Sequence, residues 1–266
     1  MTSPINDRKS SGGIACRNIA VAAFKFFGSL AVGVLFQFLF DPDPPFFIIL
    51  GLLTGITLGR PNYLNAKIAF HARKSAVIQE AMFDGKMPVP FVLFLRGFSS
   101  DVGVRERCGH IAFGLEEITP EQILQRTLPP KYKMITIGDP REGMPKLGSL
   151  RLYYEDDEWQ GAVERLIKDS TFVIMRPGDG GFLGWELEKV ADLVGPTRFA
   201  LAGDGVSADE YREFIERHPK LAKINPSPKE VPYFLIFNED WSERGTKYRI
   251  EKEITQAQIR KQNQNV

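Results

Sequence analysis

TFVIMRPGDGGFLGWELEKVADLV, residues 171–194, is a short apolar run, a glycine-rich turn and a helix-like segment in direct succession. Thr171 to Met175 has the length and β-branched content of a strand covered on both faces, since a half-buried strand would alternate apolar and polar positions. Gly178, Gly180 and Gly181 end it, and a helix is expected from Gly184 to Val194. The same alternation continues on either side. FVLFL at 91–95, KMITIG at 133–138, RFALAG at 198–203 and YFLIF at 233–237 read as strands, with helices near Glu121 to Gln125, Asp157 to Lys168 and Ala208 to His218. Thr119, Asp156 and Ser207 are suited to cap three of these helices. Strands alternating with helices at this spacing predict an α/β fold, a flavodoxin-like parallel five-stranded sheet with helices on both faces. Ligands in such sheets bind beyond the carboxyl ends of the strands, so the loops after them are the place to look for chemistry.

Three of those loops mix glycine with charge: Arg96 to Asp101, Gly138 to Gly143, and Arg176 to Gly184. The third runs straight into a helix start, where backbone N–H groups converge on the position a phosphate or ribose would take. Neither a Walker lysine nor a G-x-G-x-x-G pattern is present. Glu186 sits in that helix's first turn, a position the helix dipole favours for an acid whatever the function. Trp159, Val163, Leu166 and Ile167 fall at i, i+4, i+7 and i+8, which marks Trp159 as a core residue.

Upstream, Asn18 to Phe40 is apolar over the length of a membrane-crossing helix. After the acidic connector Asp41-Pro42-Asp43-Pro44-Pro45, a second apolar run, Phe46 to Gly59, would make only about 21 Å of helix. Both runs are apolar all round rather than along one stripe, which predicts a two-helix transmembrane hairpin over 18–59 (18–40 and 46–59). Arg8, Lys9 and Arg17 precede it and Arg60, Lys67, Arg73 and Lys74 follow it, so both termini are expected in the cytoplasm of a cell whose inner membrane the hairpin crosses twice. Residues 1–17 are then a cytoplasmic tail, 60–87 a juxtamembrane helix and a proline-marked joint, 88–240 the α/β domain and 241–266 a polar C-terminal tail.

Composition narrows the function. With 34 basic and 33 acidic residues the net charge is +1, which gives no field for nucleic acid. The two cysteines, Cys16 and Cys108, and the three histidines show no metal-ligand spacing, and neither a metal nor a resident cofactor is expected.

FVLFLRGFSSD (91–101) and GFLGWELEKV (181–190) resemble the opening strand and the tryptophan-bearing box of Toll and interleukin receptor (TIR) domains over about 88–240. Gly184 stands where that box has a small polar residue, its cysteine is missing, and Trp185 directly precedes Glu186. Together with Asp156-Asp157-Glu158-Trp159-Gln160 these segments also resemble uncharacterised bacterial two-span membrane proteins. The TIR resemblance implies NAD as a substrate and Glu186 as the catalytic residue that helps cleave its nicotinamide–ribose bond. Nucleotide contacts are then expected from Arg96, Phe98, Ser99, Asp101, Gly138, Arg141, Gly180, Gly181 and Trp185, with Trp159 and Arg176 as further aromatic and cationic candidates. It equally implies a second reading, a non-enzymatic membrane-tethered interaction module, and homo-oligomers are an expected partner alongside the lipid bilayer. A third reading is a nucleoside deoxyribosyltransferase-like enzyme, which uses a similar sheet and a glutamate nucleophile.

Overall fold

The computed structural model describes residues 11–40, 46–83, 90–97, 120–139, 148–155, 157–247 and 249–264. Two compact units result, Met1–Glu80 with Gly143–Pro145, and Ala81–Glu142 with Lys146–Val266.

The first unit contains helix α1, Ser11–Phe40, and the first part of helix α2, Phe46–Phe83. They fold back on each other. A Cβ on Gly51 would lie 2.6 Å from the Ser29 carbonyl oxygen and one on Gly55 2.9 Å from that of Phe26, so glycine is what lets the backbones approach, and the falling partner numbers make the pair antiparallel. Among the described residues one segment, Arg17–Leu35, is long and apolar enough to cross a membrane. Its Phe24, Phe27, Val32 and Leu35 are exposed. The expectation of two spans is therefore reduced to one candidate. The second apolar run stops short of a hydrocarbon core's thickness of about 30 Å, and its helix does not end at Gly59. It continues through Arg60 and Pro61, where the missing proline N–H removes one intrahelical bond, as far as Phe83. After Pro61 its buried face includes Ala66, Ala69, Ala72 and Ala76; of the expected stripe Leu64, Ile68 and Ala72, Ala72 lies on that face, Ile68 is half-buried, and the burial of Leu64 is outside what is described.

The second unit is α/β. Its strands are β1 (Phe91–Leu95), β2 (Lys133–Ile137), β3 (Leu150–Leu152), β4 (Phe172–Met175), β5 (Phe199–Ala202), β6 (Phe234–Phe237) and β7 (Glu243–Lys247). They form one seven-stranded sheet in the order β3-β2-β1-β4-β5-β6-β7. Pairing is parallel from β3 to β5, with Val92 opposite Met134 on one side and Phe172 on the other, and antiparallel at β5–β6 and β6–β7.

This corrects the five-stranded, all-parallel expectation in two respects. β3 and β7 are additional, both at sheet edges. β6 runs against β5 because the connector Asn225 to Pro232, with three prolines, returns the chain to the end where β5 leaves. Gly203 N–H donates to the Tyr233 carbonyl there, and a Cβ on Gly203 would lie 2.4 Å from the Pro232 oxygen.

The helices are α3 (Pro120–Thr127), α4 (Trp159–Asp169), α5 (Leu183–Leu193), α6 (Ala208–Arg217) and α7 (Glu251–Gln264). Ser207 caps α6 in a reciprocal box with Glu210, whereas Thr119 and Asp156 lie outside the described residues and Glu158 takes the N-cap of α4 with no side-chain bond. Residues 241–264 are not a loose polar tail. Ile250, Ile254 and Ala257 are fully buried in the cluster that holds Val92, Phe94, Leu124, Met134, Phe172, Ile174 and Ile236, and Lys261 donates to the Asp169 and Ser170 carbonyls. The helix reads as polar because only one narrow stripe of it is apolar, and that stripe packs by β4.

Candidate functional site

Strand order decides where a site forms. From β1 the chain moves outward to β2 and β3, then crosses back to pair β4 with the other side of β1. Successive crossovers leave β1 in opposite directions, so a crevice opens at its carboxyl end. A cavity of about 670 Å³ lies there, within the usual range for small-molecule sites. Phe94 to Gly97 line it from the end of β1, Thr136 to Asp139 from β2, Tyr154 from beyond β3, Trp159 from the start of α4, and Asp179 to Leu183 with Glu186 from the loop after β4 and the helix it enters.

Local chemistry fixes these walls. Thr136 Oγ1 donates to the Phe94 carbonyl at 2.7 Å, and Gly138 N–H to that of Leu152 at 2.9 Å, which tie β2 to its neighbours just below the cavity. Gly180 lies so near Gly97 that a Cβ would stand 2.8 Å from the Gly97 Cα, so glycine is what lets the backbones after β1 and β4 approach here. Leu183 N–H donates to the Gly180 carbonyl at 3.0 Å, starting α5.

Glu186 is the residue that stands out. It is half-buried overall, yet its Oε2 is shut off from solvent and has no hydrogen-bond partner among the described residues. Burial pushes the carboxyl from about 4.5 up to about 8. A helix N-terminus stabilises a carboxylate by at most about 1–2 kcal/mol, or about one pKa unit, so desolvation outweighs the dipole here. Burial thus favours the neutral acid at pH 7.

Beneath the cavity lies a buried ionic cluster. Glu121, in the first turn of α3, accepts from Arg151 Nη2 at 2.7 Å on one oxygen, which also lies 2.9 Å from Arg96 Nε as an ion pair, and from Ser149 Oγ at 2.7 Å on the other. Arg151 is wholly buried in the three-residue β3. Gly148 precedes it at φ +129°, and a Cβ there would lie 2.5 Å from that of Glu121. Gly148→Ala is therefore expected to cost about 1–3 kcal/mol, measurable as a lowered melting temperature.

Compared with known family models, curated proteins and solved structures, the chain matches none. Its site is thus read from geometry.

Of the residues expected in the site, Arg96, Gly138, Gly180, Gly181 and Glu186 line the cavity. Trp185 does not. It sits one layer back, edge-on to Trp159 at 5.2 Å and beneath Lys189 Nζ at 5.6 Å. Trp159, which the helical stripe assigned to the core, takes the lining position instead and meets Phe182 edge to face at 4.6 Å. Arg176 turns to the loop after β5, donating to the Gly205 carbonyl at 2.9 Å. Phe98, Ser99, Asp101 and Arg141 lie outside the described residues. Sequence reasoning missed Tyr154, Asp139, Asp179 and Phe182 as lining residues, and Glu121, Ser149 and Arg151 beneath it. A charged residue between two leucines, Leu150-Arg151-Leu152, was the one available signal for that cluster.

Proposed function

We propose that the protein is a membrane-attached enzyme that binds a nucleotide and cleaves its N-glycosidic bond, with NAD as the substrate and Glu186 as the catalytic carboxyl. The observation that carries this reading is the desolvated Glu186 side chain lining the cavity where the crossovers diverge, its Oε2 without a hydrogen-bond partner among the described residues. Perturbed acids in clefts at such switch points are the usual mark of a reaction site. Trp159 and Phe182 offer ring faces to a base, and Arg96, held by Glu121, offers a guanidinium to phosphate.

In the reaction the bond from ribose C1′ to the nicotinamide nitrogen breaks and its electron pair leaves with the ring, which departs neutral. Water forms the new C1′–O bond and gives up a proton. Positive charge develops on the ribose in between, and an ionised Glu186 in a water-poor cavity stabilises it. Full-length protein reconstituted in vesicles and given NAD is expected to yield nicotinamide and ADP-ribose in equal amounts. Absence of both products at every surface density would remove the enzymatic reading, and tight NAD binding without cleavage would favour the interaction module.

The attachment is part of the proposal. Arg17–Leu35 supports one membrane-crossing helix, and the basic residues flanking both apolar runs are the support for placing both termini on the cytoplasmic side, with the short second run returning the chain. Confinement to a surface raises the local concentration for self-assembly. A cysteine placed at Asp43 is expected to react with an impermeant thiol reagent from outside sealed cells, and one placed at Ser3 only after permeabilisation. Labelling of both from the same side would exclude a crossing by α1, and labelling of a cysteine placed at Lys252 from outside would exclude a return crossing by α2.

A further inference from the structure

Two observations on α1 point to the same partner. The first is shape. α2 packs on one side of α1, where Gly51 and Gly55 approach Phe26, Ser29 and Gly33. On the opposite side Ala20, Phe24, Phe27, Ala31 and Val34 are exposed, recurring at alternate steps of four and three residues. That is the spacing of a heptad seam, with Phe24 and Ala31 at a and Ala20, Phe27 and Val34 at d. An open groove lies on this seam, lined by Phe27, Leu30, Ala31, Val34 and Leu35. The first four stand at d, g, a and d, the set that forms the hole for an a-position knob of a facing parallel helix.

The second observation is Gly28. A Cβ there would meet nothing within 4 Å among the described residues, unlike one on Gly51 or Gly55, so the packing of α2 does not require glycine at this position. Glycine costs a helix about 1 kcal/mol against alanine. Gly28 stands at e, beside the seam, where a bare backbone lets a second helix come close.

Resting on the membrane attachment proposed above, we propose that this seam is covered by the same seam of a second copy of the chain, the two α1 helices running parallel as a dimer. Copies inserted with the same sense are parallel, so each residue meets its own counterpart about a two-fold axis. Ala31 of each copy enters the hole of the other, and its small size keeps the backbones close. Lys25 falls at b, off the seam, so its charge is not brought against its like. Arg17 falls at the first a position, at the end of the apolar segment, where it reaches the aqueous boundary. Acyl chains solvate every apolar face alike, so what selects this face is interdigitation between helices.

The test uses full-length protein in vesicles, in a Cys16→Ser, Cys108→Ser background, with single cysteines oxidised to disulfides. Phe24→Cys, Phe27→Cys, Ala31→Cys and Val34→Cys are expected to cross-link between copies, and Lys25→Cys and Val32→Cys, both at b, to cross-link little. Energy transfer between copies labelled at Val266→Cys, followed as lipid is added, reads dimer strength. Gly28→Leu and Ala31→Phe should each lower the lipid-to-protein ratio at half dissociation by at least about tenfold, and Val32→Leu should leave it unchanged. Equal cross-linking at all six positions, a maximum at Lys25 and Val32, absence of cross-links, or no effect of Gly28→Leu and Ala31→Phe would overturn the proposal. Release of the protein from vesicles by an alkaline wash would overturn the membrane attachment and the proposal with it, whereas retention with uniform cross-linking would overturn the dimer alone.

Discussion

Glu186→Gln is expected to lower nicotinamide release from NAD by at least about 100-fold, because the amide keeps the shape of the side chain and cannot carry the charge that stabilises the ribosyl cation. The same substitution should leave the fold at least as stable. Burial favours the neutral carboxyl at pH 7, and an amide replaces a neutral acid with little change in desolvation. Its folded value of about 8 stands above the ordinary value of 4.5, so the native protein's stability from this group is complete below about pH 4.5 and is lost as the pH rises through about 8. Melting temperatures of the native protein and the variant should coincide at pH 5, and the variant should melt higher at pH 8.5. A variant with full activity would strip Glu186 of its role, and one that melts far lower at pH 5 would mark it as a structural residue.

Glu121→Ala should have the largest effect on stability. Arg96 and Arg151 both close on that carboxylate, and Ser149 bonds its second oxygen. Removing one member of a buried ion cluster leaves its partners desolvated and costs about 3–5 kcal/mol, against a total of about 5–15 kcal/mol for a domain. For a domain of this size that is a fall of about 6–20 °C in melting temperature. Arg96 lines the cavity, so NAD affinity should fall as well. Combining Glu121→Gln with Arg151→Met, which takes out charge of both signs, should recover part of the stability. If Glu121→Ala melts within about 2 °C of the parent, the cluster is not what holds α3 to β3.

The strands that could be read from sequence are those buried on both faces. FVLFL, TFVIM and YFLIF owe their apolar runs to helices above and below, and each became a strand within a residue of its expected bounds. The edges escaped for the opposite reason. Glu243–Lys247 is mostly exposed and charged, as suits an edge that must not pair with another chain, and Leu150–Leu152 is only three residues long with an arginine at its centre. Direction could not be read at β6, since apolar content is the same for either sense and the proline-rich connector sets it. Within the site, Glu186 and the glycines were legible because loop chemistry is local. Trp159 lines the cavity and Trp185 does not, because helical spacing gives a face without saying whether the core or a crevice lies against it. The Glu121 cluster joins residues 96, 121 and 151, and no local pattern links positions so far apart.

The burial of Ile250, Ile254 and Ala257 against the sheet bears on how the molecule is made. Helix α7 follows every strand in the chain, so a ribosome exposes all seven strands before the piece that covers one face of them emerges. Helix α1 leaves the ribosome first and can engage a bilayer while that face is still bare. A nascent chain arrested before Ile250 would carry an unfinished sheet, a natural client for a chaperone, and on the proposed attachment would be held at a membrane meanwhile.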